Sequence, residues 1–275
     1  MPPKNATMPS PDQPLTVTLQ QARKARRLSQ LELSLQLGVS QRHISFVESG
    51  RARPSRDLLV AWLRALSAPL ALGNEALLQA GYAPAYSSAS LSDSSLSEAN
   101  DALERLLRTH DPMPALVLDA DWNLLRANRG GQWLAATLLP RAASLPGSAQ
   151  VNILDALVHP DGLGRSVVNL ADVGPAFLAQ LRHEASARPA LQSRVDAYEA
   201  LLKARLGEQD VHRAWAAPKA PLLTTRYATP YGELAFFSMF TTFGTPQDIT
   251  LASLRVEHMF AADDATRAVL TTQVG

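Results

Sequence analysis

The chain has 275 residues, no cysteine and a formal net charge of +1. Without cysteine, disulfides, zinc–thiolate sites and iron–sulfur clusters are excluded, and a reducing cytoplasm suits the composition. The length allows one large domain or two ordinary ones, either half being long enough to bury a core.

The small net charge hides an asymmetry. Residues 1–80 carry ten Lys/Arg against five Asp/Glu, and the remainder carries sixteen against twenty. A basic module that meets a polyanion, joined to an acidic module with another task, fits this distribution better than chance clustering. The histidines stand singly, with none of the close spacings of metal ligands, so no metal site is predicted. No apolar h-region opens the chain, and no apolar run approaches the roughly 18 residues of a membrane span. A soluble, cytoplasmic protein without a membrane partner is expected.

Residues 1–14 hold five prolines and read as a disordered arm. Residues 15–81 read as an all-α domain, with apolar residues at helical spacing from Thr18 to Leu66. Ser29 and Glu32 form a capping box that starts one helix, and Gly38 ends it. Ser40 caps the next helix, Gln41 to Glu48, which stops at Gly50. Two helices of about eight residues around a short glycine turn make a helix-turn-helix, whose second helix can enter a major groove. Leu28, Leu33, Leu37, Val39, Ile44 and Val47 are the expected core, joined by Leu59, Leu63 and Leu66.

The outward residues of the second helix carry the chemistry. Gln41 suits an adenine edge and Arg42 suits the O6 and N7 of guanine. His43, Ser45 and Phe46 share that face, Phe46 being placed to pack on a thymine methyl. Gln30 is expected to bond a phosphate with its amide and its helix N-terminus, and Arg51 and Arg53, with Arg56, to reach the backbone. The expected partner is a double-stranded DNA operator.

A short helix from Leu70 to Ala80 closes this domain, and residues 82–97, rich in serine, read as a linker. Residues 98–275 form the second domain. Glu98 to His110 is an amphipathic helix with Ala102, Leu103, Leu106 and Leu107 on one side. Strands follow at 115–119 and 124–128, joined by an Asp121-Trp122-Asn123 turn. Residues from about 129 to 215 read as helices, broken near Pro146, at His159-Pro160-Asp161-Gly162 and near Pro189. Strands return at 222–229 and 233–243, and 249–260 includes a last one. Asp263 caps a final helix. This order predicts an α+β domain, an antiparallel sheet with helices on one face.

Two resemblances sharpen the reading. With Leu28-Ser29-Gln30, Leu37-Gly38-Val39-Ser40, Ile44 and Glu48-Ser49-Gly50, the first domain resembles the Xre/Cro/repressor class of helix-turn-helix. The resemblance implies a structural pair between Arg23 and Glu48. Leu31 and Leu35 depart from the class, which is usually polar there; either they are tolerated outside, or they dock on the second domain or a partner chain. The segments 114–128, 151–162 and 232–246 resemble the ligand-binding domain of MmyB-like transcription regulators, as do 42–55 and 80–84. That resemblance implies a PAS-like fold and a small-molecule effector, with fatty acids suggested for some members.

In such a domain the ligand sits between the sheet and its helices. Phe236, Phe237, Met239, Phe240, Phe243, Trp122 and Trp133 are the large apolar candidates, and Thr241, Thr242, Asn128 and His159 the polar ones. The site expected is Trp122, Asn128, Trp133, His159, Phe237, Met239, Thr241 and Phe243. An aromatic strand can equally be plain core, His159 a turn residue and Asn128 a helix cap. No phosphate loop, nucleophile elbow or metal cluster suggests an enzyme, and no cofactor is expected. The sequence therefore predicts a DNA-binding regulator, a homodimer on two half-sites, responding to an apolar or amphiphilic molecule. The alternatives are a second domain that only dimerises or recruits a partner, and a haem or flavin sensor.

Overall fold

A computed structural model describes residues 14–139, 151–208 and 221–275. Except for Pro14, the expected N-terminal arm lies outside the described residues, as do the expected break at Pro146 and the end of the expected helical region. The chain divides into two compact units. One holds the residues up to Ala89 with Ser186–Pro189 and Thr245–Ala252; the other holds Ser90–Ala185, Ala190–Gly244 and Ser253–Gly275.

The first unit is built on five helices: α1 (Leu15–Ala25), α2 (Gln30–Leu37), α3 (Gln41–Glu48), α4 (Arg56–Ala65) and α5 (Leu70–Gln79). Ser29 accepts from the Glu32 amide while the Glu32 carboxylate accepts from the Ser29 amide, closing the capping box. Ser40 and Ser55 accept from His43 N and Leu58 N to start α3 and α4, each cap being worth about 1 kcal/mol. Gly38 ends α2 at φ 65°, a left-handed backbone that a side chain would strain. Leu19, Leu33, Ile44, Leu59 and Leu77 close around Trp62, all fully buried. Trp62 was not among the core residues expected from the sequence, yet it is the largest side chain there.

One charged pair runs through this apolar core. Arg23 Nε and Nη2 donate to the two Glu48 oxygens at 2.7 Å each, and Arg23 Nη1 donates to Leu28 O at 2.6 Å. This is the pair the class resemblance implied, and it fastens α1 to the end of α3. Leu31 and Leu35 face outward on α2, 51% and 74% exposed.

The second unit is an antiparallel sheet with helices around it. Its elements are α6 (Ser97–His110), β1 (Ala115–Leu118), β2 (Leu124–Ala127), α7 (Arg129–Leu138), α8 (Ile153–Val158), α9 (Leu163–Ser166), α10 (Leu170–Ala187), α11 (Gln192–Leu206), β3 (Thr225–Thr229), β4 (Gly232–Thr241), β5 (Arg255–Ala261) and α13 (Asp264–Val274); between β4 and β5 the chain forms α12 (Ile249–Ser253), all but its last residue belonging to the first unit. The sheet order is β2-β1-β5-β4-β3, every neighbouring pair antiparallel. The third strand starts at Thr225 rather than Leu222, and the last at Arg255. Residues before it form α12 because Asp248 Oδ1 accepts from the amides of Thr250 and Leu251.

Two apolar clusters cover one sheet face. Leu134 and Leu138 of α7 and Leu270 and Val274 of α13 pack on Leu234, Phe236, Met259 and Ala261. Leu154, Leu178, Val195, Tyr198 and Leu202, from α8, α10 and α11, pack with Leu118 and Trp122. Helix α6 lies on the opposite face, its His110 ring edge-on to His258 and Phe260 at 4.9 Å. At the start of α7 the helix backbone meets the turn that precedes β1: a side chain on Gly130 would come within 2.3 Å of Pro112 O.

Candidate functional site

Two surfaces can do chemistry, one in each unit. The first is the outer side of α3. Its inner side is fixed by Ile44, Val47 and Glu48, which are buried. That leaves Gln41 and Arg42 exposed, with His43, Ser45 and Phe46 partly so. Two guanidinium groups approach the Phe46 ring, with Arg42 Cζ 5.0 Å and Arg51 Cζ 5.9 Å from its centroid. Such cation–π contacts hold both arginines over the helix rather than loose in water.

Two expected phosphate contacts have other work. Arg53 Nη2 donates to Ala80 O and its guanidinium lies 5.4 Å from the Tyr82 ring centroid, so the side chain ties the loop after α3 to the end of α5. Gln30 Nε2 donates to Glu48 Oε2 at 2.9 Å, which spends one of its amide hydrogens on the buried ion pair. Gln30 nevertheless stands at the first turn of α2, where unpaired backbone N–H groups point outward.

The second surface is a cavity of about 510 Å³ inside the second unit, within the size range of small-molecule sites. Strand parity builds it. Phe236, Ser238 and Phe240 point from β4 to one face, and their cross-strand partners on β5 are Ala261, Met259 and Glu257. Leu116 of β1 pairs with Glu257 and adds to the same wall. The facing wall comes from Leu134 of α7, Ile153 of α8, Phe177 and Gln180 of α10, and Tyr198 of α11. Trp122 closes one side. It sits at φ 66° in a turn where Asp119 Oδ1 accepts from the amides of Asp121 and Asn123, and its indole donates to Glu184 Oε2 at 3.0 Å. A positive φ on a bulky residue costs about 1 kcal/mol or more, and here it turns the ring onto Phe177 and Phe240.

Of the eight residues expected in the ligand site, Trp122 lines this cavity and the other seven do not. Phe237, Met239 and Thr241 have the opposite parity on β4. Phe237 stacks on Phe260, Met239 is 54% exposed and Thr241 bonds the His258 ring. Phe243 lies past the strand in a shallow groove beside Leu103 and Leu106 of α6. Asn128 is spent on structure: its oxygen accepts from Gly131 N and Ala115 N, and its amide donates to Leu107 O and Met113 O. Trp133 packs beside Tyr231, 5.4 Å between ring centroids. His159 is an exposed turn residue whose Nδ1 accepts from Asp161 N.

The polar members of the lining were missed from sequence. Burial pushes the Tyr198 and Tyr227 hydroxyls far above the ordinary tyrosine range, so both are neutral donors. Burial also raises the Glu257 carboxyl, partly offset by the Ser238 Oγ bond at 2.7 Å and by the nearby Arg255 charge. For Ser238 in β4 and Glu257 in β5 the sequence carried a signal, a polar residue inside an apolar strand.

An outward recognition helix and a separate cavity-bearing α+β unit define a ligand-responsive DNA-binding transcription regulator. Comparison with known families agrees: the helix-turn-helix family matches residues 19–72, and the MmyB-like transcription regulator ligand binding domain matches residues 99–272. The latter match spans most of the chain, which belongs to that family. No curated protein matches. Among solved structures, an RNA-binding light-oxygen-voltage receptor aligns at 14% identity over 92% of this chain and 62% of its own, with a TM-score of 0.25, too low to carry an argument. No helix among the described residues is long and apolar enough to cross a membrane.

Proposed function

We propose that the chain is a sequence-specific regulator whose second unit senses a small apolar or amphiphilic molecule, acting as a homodimer on paired half-sites. The cavity, with its walls of aromatic and branched side chains, is the observation that carries this reading. Gln41, Arg42, His43, Ser45 and Phe46 read base edges, and Arg51 and the first turn of α2 at Gln30 contact phosphates. Half-sites about 34 Å apart suit two copies of α3 related by a two-fold axis. A ligand changes operator affinity only as far as it prefers one arrangement of the regulator, and the operator must then change ligand affinity by the same factor.

The test uses the full chain and a genomic operator fragment followed by fluorescence anisotropy. Arg42→Ala should relax selectivity at one base position, a loss of about 1–3 kcal/mol there. Arg51→Ala should weaken binding to all sequences alike and lower the salt slope by about 1. Organic extraction of the purified protein, with mass spectrometry, should yield a ligand whose re-addition shifts operator affinity. Normal operator binding by both variants would overturn the docking, and a protein that binds no apolar ligand would overturn the sensing.

A further inference from the structure

The polar groups of the cavity say more about the ligand than its apolar walls do. The described lining offers the Tyr198 and Tyr227 hydroxyls, Ser238, Gln180, Thr225 and the Glu257 carboxyl, and no lysine, arginine or histidine. The Tyr198 and Tyr227 hydroxyls make no hydrogen bond to any described residue, although both rings are packed in the apolar cluster. Tyr227 lies within electrostatic reach of both Tyr198 and Glu257, and all three line the same cavity. Glu257 is partly buried and lines the cavity.

We propose that the cavity selects an uncharged amphiphile, an apolar body carrying a hydroxyl or carbonyl oxygen that accepts from Tyr198 or Tyr227 beside Glu257. This rests on the reading of the second unit as a ligand-binding domain. A neutral oxygen gives these cavity-lining hydroxyls an acceptor. A carboxylate in the same place brings a second acid next to Glu257 at low dielectric, where both cannot stay ionised. Among the described residues the cations near the wall are already engaged, Arg205, which acts on Tyr198, through its Nη1 bond to Gly164 O. Arg255 lies with Cζ 3.7 Å from the Trp122 ring centroid, and its Nη1 bonds the Glu184 carboxylate at 3.1 Å. Its Nε and Nη2 are buried without a partner and closed to the cavity surface.

The experiment loads the full chain with the neutral fluorophore N-phenylnaphthylamine and displaces it at neutral pH. The competitors are dodecanol, methyl decyl ketone, dodecylamine and dodecanoate, one chain length with four head groups. Dodecanol or the ketone should bind at least about tenfold more tightly than dodecanoate. Tyr227→Phe or Tyr198→Phe should weaken the alcohol and ketone several-fold more than it weakens the fluorophore. Glu257→Gln should narrow the gap by admitting dodecanoate. Tightest binding of dodecanoate, lost in Arg255→Gln, would overturn the proposal and give the head group to Arg255. Tightest binding of dodecylamine, lost in Glu257→Gln, would overturn it and make Glu257 a counter-ion. If neither fluorophore nor competitor binds, the ligand-binding reading itself fails.

Discussion

Glu48 has 2% of its side chain exposed, bonded by Arg23 through both carboxylate oxygens and by Gln30 through one of them. Burying such a charge is worthwhile only while every partner stays, and removing one leaves the other stranded in an apolar core. Arg23→Ala should therefore destabilise the first unit by about 3–5 kcal/mol in urea unfolding, whereas Arg23→Met with Glu48→Leu should recover most of the loss. An additive double variant would sink this account. The pair was legible through the class resemblance, since both residues fall on its pattern. Arg53 was not legible, because its partner is the backbone carbonyl of Ala80, and no residue type announces a carbonyl. Asn128 showed only half its task in advance: the sequence offers a helix cap, and the structure adds Ala115 N, Leu107 O and Met113 O.

At the scale of elements, β4 shows why the helix-turn-helix was readable in detail and the cavity was not. Caps and left-handed glycines mark helix ends locally, so Ser29, Gly38 and Ser40 fix α2 and α3 from within their own residues. A strand's two faces differ only by parity, and aromatic residues stand on both faces of β4, with Phe236 and Phe240 against Phe237. The choice is made by distant partners, Glu257 and Met259 on one face and His258 and Phe260 on the other. On that second face lies a titratable joint between sheet and α6. His258 is pushed below the ordinary histidine range by burial and by the neighbouring His110, and its Nε2 meets Thr241 Oγ1 at 3.0 Å. The unfolded chain takes up this proton near pH 6.5 while the folded one still resists it, so stability falls as pH falls through that value. Thermal melting between about pH 7.5 and about pH 5.5 should show a larger loss for the wild type than for His258→Gln. Equal losses would remove His258 from the account.

For the whole molecule, the charge asymmetry found its explanation. The basic stretch holds α3 and its arginines, and the acidic remainder matches a ligand-binding family over residues 99–272. Membership in that family and the α+β class were legible because they rest on long segments, while the polar groups of the cavity are single residues contributed by β3, β4, β5 and α11. The cavity has one more consequence, mechanical rather than chemical. Where its apolar walls keep water out, a cavity of about 510 Å³ adds to the volume of the folded unit, and the unfolded chain does not keep that space. Hydrostatic pressure favours the smaller state, so the second unit should yield at lower pressure than the first, whose core closes tightly around Trp62. Tryptophan fluorescence under pressure reads both, through Trp122 in one and Trp62 in the other. Filling the cavity with dodecanol should raise the pressure midpoint of the second unit alone. The sensor would then be the compressible part of the protein, stiffened by whatever it senses.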